Sequence, residues 1–239
     1  GSSKFAEGKK WGMFPSMALA WRVSEEDFMK FDALSNLKLR ASFGYTGNNG
    51  GVGPYDTQAL AKQKYWYDFG GVGANGYGPN GLVYTNLSWE KSREFNFGLD
   101  YGFFGGRING TIDYYNKLSS DLIYKRTMPL ETGAYGGKMW DNVGKVRNSG
   151  IELALTTMNV VTKNLQWSTT FVFSANKNEI VELYGAKVDD VGNKLFIGES
   201  LDALYNYKII GVWTADEAAE AAKYGQYEGQ AKVLDRDKN

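Results

Sequence analysis

Side chains able to do covalent chemistry are scarce in this sequence. It contains neither His nor Cys, which removes Ser-His-Asp and Cys-His catalysis, thiol redox chemistry and zinc fingers from its own repertoire. Carboxylates could still work in pairs as in glycosidases, but no spacing singles a pair out. Metal binding would have to use oxygen ligands. One stretch has a suitable pattern: Asp235, Asp237 and Asn239 stand at the first, third and fifth positions of a calcium-loop signature, without its Gly and distal carboxylate. A structural calcium ion there would stiffen a loop, and a plain polar turn is the other reading.

Two further groups of side chains could do non-covalent chemistry. Tyr65, Trp66 and Tyr67, followed by the Gly-rich DFGGVGANGYGPNG, offer flat apolar faces with polar tips, suited to stacking on sugar rings or gripping peptide side chains. Packing of a loop against its neighbours is the competing explanation. Lys38, Arg40, Asp100, Arg107, Asp113 and Glu152 each lie on the non-apolar face of an alternating segment. They would line an interior path if the opposite faces meet lipid. The acidic run Glu25, Glu26 and Asp27 after Ser24 reads as the first turn of a short helix, where the dipole favours carboxylates, and carries no acid-base role. Thr214 and Glu217 read as a capping box opening DEAAEAAKY, which Gly225 would end.

The elements that must position these groups are strands. Gly is abundant at 30 residues, Pro is rare at 4, and aromatics make up 15%, a composition of β-structure with many turns. From Glu94 to Phe103 the odd positions are Phe95, Phe97, Leu99, Tyr101 and Phe103, and the even ones are polar or Gly. That is a strict period of two. Ile108, Gly110, Ile112 and Tyr114 repeat it after the hairpin signal Gly105-Gly106. Weaker copies run over residues 17–23, 37–46, 151–155 and 167–174, with a seventh near 204–212. About 10 residues per strand is long for a soluble sheet and matches a tilted membrane-crossing strand. Long and short connections alternate, which places all long loops on one rim, and aromatics such as Trp21, Tyr45, Trp89 and Trp167 fall near strand ends.

Lys+Arg and Asp+Glu cancel at 27 each, so the basic footprint of a nucleic-acid binder is missing. No apolar run is long enough for a spanning helix. The pattern predicts an all-β, antiparallel, up-and-down transmembrane β-barrel segment with long extracellular loops and short periplasmic turns. A soluble carbohydrate-binding β-sheet module is the alternative, since a soluble sheet with one wet face also alternates.

The phrases WGMFPSMALAWRVSEEDFM, LKLRASFGYTGN, SWEKSREFNFGLDYGFFGGRINGTIDYYNKLSSDLI, DNVGKVRNSGIEL and YKIIGVWTADEAAEAAKYGQ occur in this order. They resemble the C-terminal barrel half of the SusC/RagA family, TonB-dependent outer-membrane transporters of Bacteroidetes. The resemblance implies that residues 1–239 are part of a barrel of about 22 strands. The plug, the N-terminal extension and the terminal strands would then lie outside them. It further implies integral outer-membrane localisation and energy from the TonB complex. A SusD-like surface lipoprotein would be the partner, a glycan or peptide the substrate, outer-membrane lipid the surroundings, and no catalytic residue is expected.

Overall fold

The computed structural model describes residues 1–79, 82–132 and 138–234, and the side chains of Lys64, Tyr65, Thr127 and Leu130 also lie outside the description. The strands, in chain order, are β1 (Ser16–Arg22), β2 (Leu34–Asn48), β3 (Ala61–Phe69), β4 (Val72–Pro79), β5 (Glu90–Phe103), β6 (Ile108–Ser120), β7 (Ile123–Thr127), β8 (Lys138–Asn142), β9 (Lys145–Val161), β10 (Gln166–Glu182), β11 (Ile209–Val212) and β12 (Ala231–Val233). Six of them form one antiparallel sheet in the order β1-β2-β5-β6-β9-β10. Neighbours in this order are joined up and down. Both long connections inside the sheet, β2 to β5 and β6 to β9, lie on one rim and carry hairpins of their own, β3-β4 and β7-β8.

Three expectations change. The seventh strand is only Ile209–Val212, and it pairs with β12 in a separate two-stranded sheet. The reason is local: β11 is four residues long and its register with β12 is broken at Gly211. Five of the six main strands exceed 10 residues, reaching 17 in β9 and β10, while β1 has 7. The acidic run after Ser24 forms two 3-10 turns, Val23–Glu25 and Asp27–Met29, with no side-chain cap, and Ser24 Oγ is buried without a partner. The Thr214–Glu217 capping box is present as expected; it opens a turn that leads into α1 (Ala218–Lys223), followed by Gly225 at φ +66°.

Register explains the two faces. Leu19, Ala41, Phe97, Tyr114 and Ile151 lie in one row across the sheet, and Trp21, Leu39, Leu99, Ile112, Leu153 and Phe173 lie in the next. Many of these side chains are exposed, including Leu19, Phe97 and Phe173. An antiparallel sheet in water buries such a face against a second layer, and here nothing among the described residues covers it. Along β5 the band runs from Phe95 to Phe103. Eight steps of about 3.4 Å, tilted by about 40°, give a height of roughly 21 Å, close to the apolar band of an outer-membrane barrel. Trp21, Phe103, Phe104 and Trp167 mark its lower edge, and Phe43, Tyr45 and Phe95 its upper one. Paired rings such as Phe43–Phe95 at 4.5 Å tie β2 to β5 there.

Glycines make close strand contacts possible beneath aromatic rings. A Cβ on Gly110 would lie 2.2 Å from the Ala154 carbonyl and 2.6 Å from the Tyr101 hydroxyl, and one on Gly150 would meet Tyr115 and the Ala175 carbonyl at 2.8 Å. Tyr101 and Tyr115 thus lie over backbone that no other residue would leave free. The turn between β5 and β6 covers Phe104, Gly105, Gly106 and Arg107, with the first three at positive φ. Gly110→Ala should destabilise the full-length protein by about 1 to 3 kcal/mol, because a backbone carbonyl rather than a movable side chain must yield. Urea unfolding in detergent checks this, and an unchanged midpoint would show that the strands separate freely.

Candidate functional site

Strand alternation gathers the charged residues on the face opposite the aromatic band. Arg40 on β2, Gly98 on β5, Asp113 on β6 and Glu152 on β9 share one row, and Lys38 with Asp100 opens the next. Gly98 supplies no side chain, and the Arg40 guanidinium lies in the space left: a Cβ there would be 2.5 Å from its central carbon and 2.6 Å from Asp113. Arg40 therefore bridges two carboxylates. Its Nη2 lies 2.8 Å from Asp100 Oδ1 and 3.0 Å from Asp113 Oδ1, and its Nε donates to Asp100 Oδ1 at 3.0 Å. Lys38 stands farther from Asp100, at 3.8 Å. A planar fork facing two carboxylates is the arrangement Arg holds best. Glu152 stands beside Asp113, exposed and without an ion pair among the described residues. Arg107 is apart from the group, in the turn, with its guanidinium 3.5 Å from the Met158 carbonyl.

Above the sheet, the long-loop rim is built by side chains that sequence reading did not single out. Asn142, at the end of β8, accepts from the Ser88 N–H at 2.7 Å and donates to the Ser88 and Asp121 carbonyls, both at 2.9 Å. One amide thus closes three segments together and uses both its donors. Beside it Phe5, Val52 and Leu87 form a buried cluster with Trp89 and Trp140 packed on it. Phe5 and Phe14 meet the Trp89 ring edge-on, at 5.3 and 5.4 Å. A second cluster of Val146, Ile180 and Leu183 seats the chain that follows β10 on the polar face, where Ile180 bridges to Ile197. Tyr184 donates to Asp190 Oδ2 at 2.7 Å. Burial, then the Asp190 contact, pushes the Tyr184 hydroxyl up to about 12. The amide of Asn193, with Tyr184 second, holds the Asp190 carboxyl below its ordinary value. In the sequence, Asn142 is an unremarkable Asn in DNVG and Tyr184 follows a strand end, so only tertiary partners distinguish them.

Tyr65, Trp66 and Tyr67 lie on β3, which among the described residues pairs with β4 alone. Trp66 and Tyr67 are consecutive in a strand and therefore face opposite sides; both are exposed, and the Tyr65 side chain lies outside the described residues. Trp66 stands opposite Asn75, with its ring near Gly73, and Tyr67 lies 6.4 Å from Phe69 on the other side. Asp235, Asp237 and Asn239 lie outside the described residues. Among the described residues no group of three or more Asp or Glu could hold a metal ion.

An exposed apolar band, an ionic opposite face and loops confined to one rim define a segment of a transmembrane β-barrel. Residues 1–231 match the family described as TonB dependent receptor-like, beta-barrel, and the chain belongs to that family. It is similar to a TonB-dependent receptor of Formosa agariphila, with 38% identity over 91% of this chain and 20% of the relative. With the TonB-dependent receptor SusC of Bacteroides thetaiotaomicron it shares 36% identity over 87% of this chain and 21% of that protein. Among solved structures it resembles the RagAB peptide transporter, at 27% identity and a TM-score of 0.74 over 89% of this chain and 23% of the other. The RagAB peptide importer in the 'open-open' state matches at 26% identity and a TM-score of 0.75, over 88% of this chain and 23% of that one. The chain thus spans about a fifth of the length of the relatives it matches. These matches bear out the SusC/RagA resemblance read from the sequence phrases, and a receptor barrel of this family is not an enzyme.

Two outcomes follow for the rim. Asn142→Ala should leave the sheet intact but expose the 49–89 and 121–144 connections to limited proteolysis at least several-fold faster, since three backbone groups lose their partner. Tyr184 should ionise well above the ordinary tyrosine range. Its raised value means that the Asp190 contact contributes fully below pH 10 and is lost as pH rises through about 12. A spectrophotometric titration in which Tyr184→Phe removes no high-pH component would contradict this.

Proposed function

We propose that this chain forms part of the wall and outer rim of a TonB-dependent active transporter that imports oligosaccharides or peptides across the outer membrane. The observation that carries this is the division of one sheet into an exposed apolar face and a face held by the Arg40–Asp100–Asp113 network. A barrel wall needs lipid on one side and a polar interior on the other, whereas a soluble sugar-binding module would gain nothing from an uncovered apolar band. In this reading Lys38, Arg40, Asp100, Asp113 and Glu152 line the interior. The long-loop rim faces outward, where a SusD-like surface lipoprotein closes over it, and the TonB complex acts through parts of the protein beyond these residues.

Trp66 is the side chain best suited to meet substrate. Trp66 is 76% exposed on a hairpin face that it shares with Gly73, Asn75 and the exposed Tyr77 of β4, an open, flat apolar surface beside an amide. Tyr67, on the opposite side of that hairpin, and Tyr65 are proposed as further contacts. The RagAB relatives, described as a peptide transporter and a peptide importer, support a peptide as one substrate class. Asp235, Asp237 and Asn239 are proposed to hold a structural calcium ion that stiffens an external loop, with no step of transport assigned to it.

The full-length protein should migrate faster in detergent gels before boiling than after, as intact membrane barrels do, and cells lacking it should lose uptake of a labelled oligosaccharide or peptide. Trp66→Ala should weaken capture about tenfold, in line with 1 to 3 kcal/mol for a stacked aromatic, without altering gel migration. Uptake that persists in the deletion strain, or migration indifferent to heating, would end this reading.

A further inference from the structure

Above the apolar band the same face of the strands turns basic. Continuing the alternation from Phe95 toward the long-loop rim, β5 presents Arg93 and then Lys91; register places Arg147 and Lys145 of β9 in the same two rows, and Lys177 of β10 one row lower, in that of Phe95. Carboxylates there are fewer. Arg147 and Lys177 share Glu179, at 2.9 and 2.7 Å, Lys145 meets Glu182 at 2.8 Å, and Lys91 stands 3.8 Å from Asp121. Five cations against three carboxylates leave this arc at +2. Arg93 is exposed and has no carboxylate partner among the described residues.

The height of these groups decides what they meet. Arg93 is two residues beyond Phe95 and Lys91 four, which at about 3.4 Å per residue and a tilt of about 40° puts them roughly 5 and 10 Å above Phe95, Arg93 in the row of Tyr45 at the band's upper edge and Lys91 beyond it. The headgroup layer on each side of a bilayer is about 5 to 8 Å deep. We propose that Arg93 and Lys91, flanked by Arg147, form a site on the outer wall for the phosphate of an anionic lipid headgroup whose acyl chains lie against the aromatic band. This rests on reading the apolar face as lipid-facing. A guanidinium suits phosphate geometrically, and a cation held at the headgroup level attracts an anionic lipid by about 1 kcal/mol.

The test is the spin-label spectrum of the full-length receptor in phosphatidylcholine vesicles containing trace spin-labelled phosphatidic acid or spin-labelled phosphatidylcholine. The motionally restricted population should favour phosphatidic acid about fivefold, as one cation's worth of attraction implies. Arg93→Gln with Lys91→Gln should bring that ratio near one, while Lys117→Gln, a charge removed from the opposite face of β6, should leave it unchanged. Equal populations in the wild type, or equal loss in Lys117→Gln, would overturn the inference while leaving the membrane reading intact. Absence of any restricted lipid would overturn both. Loss of selectivity in sodium phosphate but not in sodium chloride of matched ionic strength would assign the site to a soluble anion and overturn the lipid proposal.

Discussion

The sheet is organised by a conflict that each strand resolves residue by residue: odd and even side chains must suit different solvents. A register slip of one residue would carry Arg40, Asp100 and Asp113 into the apolar band and bring Phe97 and Leu99 to the ionic face. The Arg40 bridge opposes such a slip directly, because it joins β2, β5 and β6 through contacts that exist in one alignment. Its side chains are partly exposed, so its worth is modest in stability. Its larger effect is on alignment, since any displaced pairing leaves carboxylates facing each other without the guanidinium between them.

Glycine and tyrosine divide the remaining work. Where a large ring crosses a neighbouring strand, as Tyr101 does at Gly110 and Tyr115 at Gly150, the crossed position has no side chain. The high content of both residue types is then one phenomenon rather than two. Such pairs fill space across strands without adding layers, which suits a wall that must be one sheet thick.

Much of this was legible in the sequence. Phe95 to Phe103 and Ile108 to Tyr114 announce strands because period two cannot be mistaken over that length, and the charged residues opposite them fall together because register follows from the hairpin. What failed was short or tertiary. Residues 204–212 carry enough apolar side chains to suggest a strand, but only four of them are extended. The connections read as loops, yet they hold β3-β4 and β7-β8, whose pairing depends on local turns at Gly70-Gly71 and on partners distant in sequence. Asn142 left no trace in the sequence, since its role is defined by Ser88 and Asp121.

Among the described residues the β3-β4 hairpin hydrogen-bonds as a sheet only to itself, while the rim is secured by other segments. The hairpin and the anchored rim are therefore separable pieces of chain. Residues 61–79 can diverge, lengthen or be exchanged as a cassette without disturbing the Asn142 clamp or the wall. A change confined to this ribbon would leave the pairing of the six-stranded sheet as it stands.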